Sequence, residues 1–322
     1  MRITRLVDQP IIDSATCDSI GTNIQGPSLI RAPEWLPNPL GAYLLYFADH
    51  KGGHIRLAYA DRPEGPWTVH RPGALQLADS CFLTEPPTAS DAQLERARDR
   101  FREALGSDYS VEEALVDATT PHIASPDVHV DHERRRIVMY FHGLERFGVQ
   151  VTRVATSSDG INFRAQPEVL GSSYFRVFRY RGWHYALVMP GLIMRSRDGM
   201  SGFEPGPQLF VPQMRHAAVA VRGDELHVFW TRVGDAPEAI LRSTVDLRGD
   251  WLEWRDSEPR LGLRPERSWE GSDVDLIASR RGAVDEFVNQ LRDPCLFDDD
   301  GRTFLLYACG GESAIGLASI DW

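Results

Sequence analysis

No stretch of about 18 apolar residues occurs anywhere in the 322-residue sequence, so no helix is expected to cross a membrane. The start, Met1-Arg2-Ile3-Thr4-Arg5-Leu6-Val7-Asp8, lacks the apolar run of a secretion signal. Cysteine is sparse: Cys17, Cys81, Cys295 and Cys309 are widely scattered, without metal-ligand spacing. A cytoplasmic protein with reduced thiols is the expectation. Runs rich in Lys and Arg are also missing and the net charge is −11, which makes nucleic acid a poor partner and a neutral or cationic ligand a better one. Gly52-Gly53 and Gly310-Gly311 lack the strand–loop–helix setting of a phosphate cradle. The apolar runs lack a 3.6-residue period, which excludes a helical solenoid.

What the chain does have is an internal repeat. Five apolar-aromatic runs share one character: Tyr43-Leu44-Leu45-Tyr46-Phe47, Ile137-Val138-Met139-Tyr140-Phe141, His184-Tyr185-Ala186-Leu187-Val188, Leu226-His227-Val228-Phe229-Trp230 and Phe304-Leu305-Leu306-Tyr307-Ala308. β-Branched and aromatic residues between Gly and Asp turns read as strands. Each run follows another strand and a polar turn, and a third strand comes after it. Units of three or four strands, repeated five times, are the pattern of propeller blades. The runs start at 43, 137, 184, 226 and 304, so successive starts lie 94, 47, 42 and 78 residues apart. The two long steps carry extra material, roughly residues 72–121 and 256–288. The first insertion holds Leu94, Ala97, Phe101, Ala104 and Leu105 at helical spacing. The expected fold is therefore all-β: one five-bladed β-propeller domain over residues 1–322, with two loop insertions on one face, the first partly helical. The segment Ile3–Val7 is a candidate to pair beside residues 314–318 and close the ring.

Strand order predicts where a site lies. Both insertions enter innermost strands, so they rise on one face, and long loops on a rigid scaffold carry function. That face presents Asn23, Gln25, Asp49, His50, His122, Ser125, His142, Arg215, His216, Asn289, Gln290, Arg292, Asp293 and Glu312. Asp127 lies just inside an inner strand, where a carboxylate needs a partner or a task. The insertions add Glu85 and the pair Trp269-Glu270. Converging carboxylates, imidazoles and guanidiniums suit a hydroxyl-rich ligand and acid–base chemistry.

The chain resembles the five-bladed propeller glycosidases, the arabinanase and β-xylosidase group of glycoside hydrolase family 43, as a divergent member. The resemblance rests on Gly26-Pro27-Ser28-Leu29-Ile30 with Gly41-Ala42-Tyr43-Leu44-Leu45-Tyr46, on Ala58-Tyr59-Ala60 with Gly65-Pro66-Trp67, and on Ser157-Ser158-Asp159-Gly160 with Phe163. Arg292-Asp293-Pro294 and Trp269-Glu270-Gly271 complete it. It implies three carboxylates at the channel mouth: a base, an acid and an aspartate that tunes the acid. Gly26 and Ser125 stand where the family's first two aspartates precede a proline, so the set does not transfer position by position. Inverting cleavage needs carboxyls roughly 6.5–9.5 Å apart.

The leading expectation is a glycoside hydrolase-like enzyme acting on a small sugar or oligosaccharide. Asp127 and Asp293 are the candidate channel carboxylates, and Glu270 or a histidine, His216 foremost, is the proton donor. Candidate substrate contacts are Asp49, His50, Glu85, His142, Arg176, Arg215, Arg292 and Trp269; the arginines suit hydroxyls or an acidic sugar's carboxylate. Two rival readings stay open. One is a carbohydrate-binding propeller without catalysis, which the loss of a carboxylate at Gly26 favours. The other is a metal-dependent hydrolase or lyase with a channel ion on His122, His142 and His216; otherwise no cofactor is expected. The sugar, its anomeric preference and the oligomeric state stay open at this level.

Overall fold

The structure, a computed structural model, describes residues 1–105 and 111–322, with side chains described outside 100–110. Five antiparallel sheets of consecutive strands surround one axis, as expected of a five-bladed propeller. The innermost strands are Gln25–Arg31, Ile123–Asp131, Phe175–Tyr180, Met214–Arg222 and Leu291–Asp299. Each is followed outward by its neighbours in chain order. The second strands are sandwiched between adjacent blades and so are buried on both faces. Tyr43–Ala48 is buried at every position, and Arg302–Cys309 at every position but its first. That double burial is why these strands read as continuous apolar runs instead of alternating ones.

Repeated turn motifs fasten one blade to the next. In Ser157-Ser158-Asp159-Gly160 the Asp159 carboxylate accepts the N–H groups of Ile161 and Asn162, both at 2.8 Å. The buried Gly160 carbonyl of that turn accepts the Tyr46 hydroxyl of the preceding blade at 2.7 Å. One blade on, the Tyr140 hydroxyl donates to the Gly199 carbonyl at 2.8 Å. Each bond satisfies a tyrosine hydroxyl that the blade interface would otherwise strand.

The ring is closed by the chain's first strand. Arg2–Arg5 pairs with the last strand, Ala314–Asp321, in the register Arg2 to Asp321 and Arg5 to Ala318. Glu270 secures this seam. Its carboxylate, fully buried, accepts Arg5 Nε and Nη2 at 2.7 Å each, the Tyr307 hydroxyl at 2.7 Å, and the backbone N–H groups of Glu266 and Arg267 at 2.8 and 3.1 Å.

The outermost strands Thr68–Gln76 and Arg260–Leu263 occupy the beginnings of the two stretches read as insertions, which leaves 77–122 and 264–290 as the added material. The first carries helices Asp91–Leu105 and Val111–Thr119. Of the expected apolar stripe, Ala97 is buried and Leu94 partly so, whereas the side chains of Phe101, Ala104 and Leu105 lie outside the described ones. Both segments dock on the loops between second and third strands: the Gly148 N–H donates to Ala118 O at 2.8 Å, Gly234 N–H to Ser279 O at 3.1 Å, and Val288 N–H to Gly310 O at 3.3 Å. No described helix is long and apolar enough to cross a membrane.

Candidate active site

Where each inner strand begins, one residue takes a left-handed backbone: Gly26 (φ 63°), Ser125 (50°), Tyr174 (68°), His216 (46°) and Asp293 (45°). In four of the blades the register to the second strand slips at this point: between Gln25 and Ser28, Ala124 and Asp127, Arg215 and Ala217, and Arg292 and Cys295. A bulge of this kind bends the strand and re-aims one side chain, here toward the channel mouth. Non-glycine residues held at positive φ cost of order 1–3 kcal/mol each and cluster at functional sites. The five blades thus present a ring of five residues at one level.

Three of the five form a contiguous buried cluster. The Tyr174 hydroxyl donates to Asp293 Oδ1 at 2.8 Å. His216 Nδ1 stands 3.7 Å from Asp293 Oδ2, and neither atom has a hydrogen-bond partner among the described residues. The Tyr174 ring is tilted against the rings of His216 and His142, with centroids 5.6 and 6.2 Å away. The Arg176 guanidinium lies 4.1 Å above it. Asp293 is 1% exposed; burial first, and then the charge of Glu312, push its carboxyl up to about 6, against the opposing Tyr174 hydrogen bond and Arg176. Burial, reinforced by Arg215 and Arg292, drives His216 well below the ordinary imidazole value. Burial likewise drives His142 down, with His122 adding to it. The centre of the mouth is a carboxyl that titrates near neutrality beside a neutral imidazole.

Around this centre runs a chain of buried ion pairs. Arg215 Nε donates to Glu238 Oε1 at 2.9 Å, and its Nη2 contacts Oε2. Arg292 Nε lies 3.3 Å from Glu238 Oε2, and its Nη1 donates to Glu312 Oε1 at 3.0 Å. Glu312 also accepts Asn23 Nδ2 at 2.8 Å and meets His50 Nδ1 at 3.3 Å. Burial pushes Glu312 up, but His50, Arg292 and Asn23 outweigh it and hold the carboxyl well below its usual range. His50 responds in kind: burial lowers it, and Glu312 more than compensates, so its pKa is raised.

The residues singled out from the sequence fall into distinct places. Asp293, His216, His142 and Arg176 come together at the centre, and His50 lies in the ion-pair chain. Arg215 and Arg292 are committed to Glu238, Glu312 and Gln290. Asp49 pairs with Arg56 at 3.3 Å and accepts the Lys51 N–H. Asp127 lies on the channel wall, where its Oδ2 accepts the Val177 N–H and meets His129 Nε2, each at 2.8 Å. Glu85 is exposed. Trp269 packs against the core between blades 4 and 5, and Glu270 serves the ring seam. The three histidines of the metal reading do not converge. His122, bonded through Nδ1 to Thr120 O at 2.7 Å, lies 6.1 Å from His142, and Tyr174 stands between His142 and His216. Among the described residues no group of three or more His, Cys, Asp or Glu side chains has metal-site geometry.

Sequence reading missed Tyr174 and Glu238. An aromatic ahead of Phe175 reads as core filler, and the signal that locates it is its rank in the ring after Gly26 and Ser125. Glu238, behind Ala236-Pro237, has its partners 23 and 54 residues away, beyond any local pattern.

The ring also explains why no carboxylate stands in the first blade. A Cβ at position 26 would lie 2.9 Å from Ser125 Cα, on backbone at φ +63°. Gly26→Asp is therefore expected to lose at least about 2 kcal/mol in denaturant unfolding and to restore no activity. Unchanged stability in that variant would show that the ring yields.

No family model matches the chain. It is 34% identical over 325 residues, 92% of this chain and 83% of its relative, to uncharacterized protein R118 of Acanthamoeba polyphaga mimivirus. Among solved structures it is similar to the GH43_1 enzyme from Xanthomonas citri complexed with xylotriose, with a TM-score of 0.57 and 11% identity over 98% of this chain and 90% of that one. A GH43 β-xylosidase/α-arabinofuranosidase from a compost microbial metagenome, also in complex with xylotriose, gives 0.56 and 10% over 99% and 95%. The exo-β-1,3-galactanase of Phanerochaete chrysosporium with β-1,3-galactotriose gives 0.57 and 11% over 99% and 64%. At such identities the likeness is one of fold, and the five-bladed propeller expected from the sequence is the architecture found.

Proposed function

The chain belongs to the family of the mimivirus protein R118, and from its propeller fold and the Asp293 cluster we propose that it is a glycoside hydrolase-like enzyme acting on a small neutral sugar or oligosaccharide. The observation that carries this reading is Asp293: a buried carboxyl that titrates at about 6, with Oδ2 open and a neutral imidazole 3.7 Å away. A carboxyl poised near the working pH is what a general acid requires. Solved propellers of the same fold hold xylotriose and galactotriose, which supports an oligosaccharide at this mouth. Neutral sugars are favoured over acidic ones, because Arg215 and Arg292 are already neutralised by glutamates.

One oxygen atom bridges Asp293 Oδ2 and His216 Nδ1 comfortably, since each would lie within hydrogen-bond reach of it. In the proposed step Asp293 gives its proton to the glycosidic oxygen, the C–O bond breaks, and the alcohol leaves. Water adds to the anomeric carbon, and its proton returns to Asp293 through His216. Tyr174 fixes Oδ1, which leaves the proton on Oδ2.

Tyr174→Phe tests that arrangement. The lost hydrogen bond favoured the ionised carboxylate, so the Asp293 pKa rises and the alkaline limb of the rate profile moves up by about one unit. An unmoved limb would take Tyr174 out of the mechanism. The decisive experiment is turnover of aryl glycosides and small oligosaccharides by wild type and Asp293→Asn. Loss of turnover in the variant supports the enzyme. The second reading, a sugar-binding propeller without catalysis, is favoured by the bare positions Gly26 and Ser125. It gains if sugars bind the wild type and none is cleaved.

A further inference from the structure

We propose that the central channel holds a second ligand site, opening on the face opposite the Asp293 cluster and shaped for a small neutral polyol such as a monosaccharide. The inference shares Arg176 with the central cluster but does not require the catalytic reading above. A cavity of about 930 Å³ occupies the far half of the channel, lined by residues 27–31, 127–130, 176–177, 218–219 and 295–297 of the five inner strands. That volume lies within the range of small-molecule sites, roughly 300–1,000 Å³. It stays open because the inner strands contribute small side chains here, among them Ser28, Ala218 and Val219.

Its lining carries a charged donor and a charged acceptor on neighbouring blades. Asp127 takes both of its described hydrogen bonds, from the Val177 N–H and with His129, on Oδ2. Oδ1 accepts none from a described residue. Arg176 donates Nε to the Ala217 carbonyl at 2.8 Å and Nη1 to the Ser125 and Phe175 carbonyls at 3.3 and 3.0 Å. Its Nη2 is buried without a partner among the described residues, in a residue only 4% exposed. An unpaired buried guanidinium N–H is costly, and the great majority of such groups in folded proteins are satisfied by something. The hydroxyl groups of one polyol can serve both residues, donating to the carboxylate and accepting from the guanidinium.

Charge selects the neutral ligand. The opposite charges of Asp127 and Arg176 offset each other, and near the mouth Arg31 bridges Asp299 and Asp300 at 3.0 and 2.9 Å. An anion would face Asp127 and the three aspartates 298–300, and a cation would face Arg176. Between the polar groups the walls are apolar, with Val128, Val177, Leu296 and Trp35. Alternating C–H and O–H surfaces on a sugar ring match that lining.

The test is calorimetric titration of the purified chain with xylose, galactose and myo-inositol, repeated on three variants. Asp293→Asn is expected to keep this binding. Val219→Trp, which projects a bulky ring into the cavity, and Asp127→Asn, which removes the acceptor charge, are each expected to weaken it by at least about tenfold. A melting transition like that of the wild type certifies each fold, and Asp127→Asn keeps the test alive if the tryptophan variant fails to fold. The inference is overturned if none of the three polyols binds saturably, or if binding is unchanged in Val219→Trp and Asp127→Asn. Absence of turnover leaves these readouts untouched, so failure of the catalytic reading and failure of this one are separable.

Discussion

Asp293→Asn is expected to lower turnover by about 10²–10⁴-fold and, at the same time, to raise the stability of the protein at pH 8. Both effects come from one carboxyl. Its pKa, about 6 in the folded chain against an ordinary 3.8, means that the native state binds a proton more tightly than the unfolded chain. Stability from this group is therefore complete below the unfolded value and is lost as pH rises toward the folded one. Above pH 6 the folded protein carries a buried carboxylate at a cost on the order of 3 kcal/mol. Asparagine retains an acceptor for the Tyr174 hydroxyl and carries no charge, so that cost disappears together with the acid. Urea unfolding at pH 4.5 and pH 8, run beside glycoside turnover, checks both halves. A variant that is inactive yet no more stable at pH 8 would show that Asp293 was never held protonated.

Glu238→Ala is expected to destabilise the protein by about 3–5 kcal/mol, the usual cost of removing one partner of a buried ion pair. The glutamate is fully buried, and it faces Arg215 and Arg292, which are 3% and 0% exposed. Burial pushes its carboxyl up, but the two guanidiniums outweigh that and hold it below its usual range. Removal leaves Arg215 without its carboxylate, whereas Arg292 keeps Glu312. A double variant, Glu238→Leu with Arg215→Met, is expected to recover much of the loss, because it removes the charge along with its partner. Denaturant midpoints decide the matter, and a single variant within about 0.5 kcal/mol of wild type would mean that water reaches the pair.

The architecture was legible because doubly buried strands leave an apolar signature five times over, and because the turns between them repeat Ser-x-Asp-Gly at residues 157–160 and 196–199 for a physical reason: their carbonyls receive tyrosines from the preceding blade. Even the seam was foreshadowed in residues 3–7, although the register runs two residues further along the last strand than pairing with 314–318 would give. The site was legible only in part. Asp293 and His216 stand at strand entrances, where parity and rank predict a side chain aimed at the axis. The loops mislead more easily. Glu270, in Trp269-Glu270-Gly271, has the local look of a mouth carboxylate, and nothing nearby announces that Arg5, 265 residues earlier, is its partner. Arg215 and Arg292 look like substrate ligands until Glu238 and Glu312 are seen to neutralise them. Where pairing is long-range, local pattern cannot assign it.

The seam between Arg2–Arg5 and Ala314–Asp321 has a consequence for biosynthesis. At about 5–20 residues per second, the first strand leaves the ribosome roughly 15–60 s before its partner exists. During that interval the nascent chain is an open row of sheets with an unpaired edge at one end, the kind of edge that recruits other chains. Arg5, Ile3 and Thr4 give that waiting edge its mixture of charge and branched side chains. A circular permutant opened at the exposed turn of Gly223 and Asp224, with the old ends joined, would make the seam a local hairpin and hand the wait to the fourth blade instead.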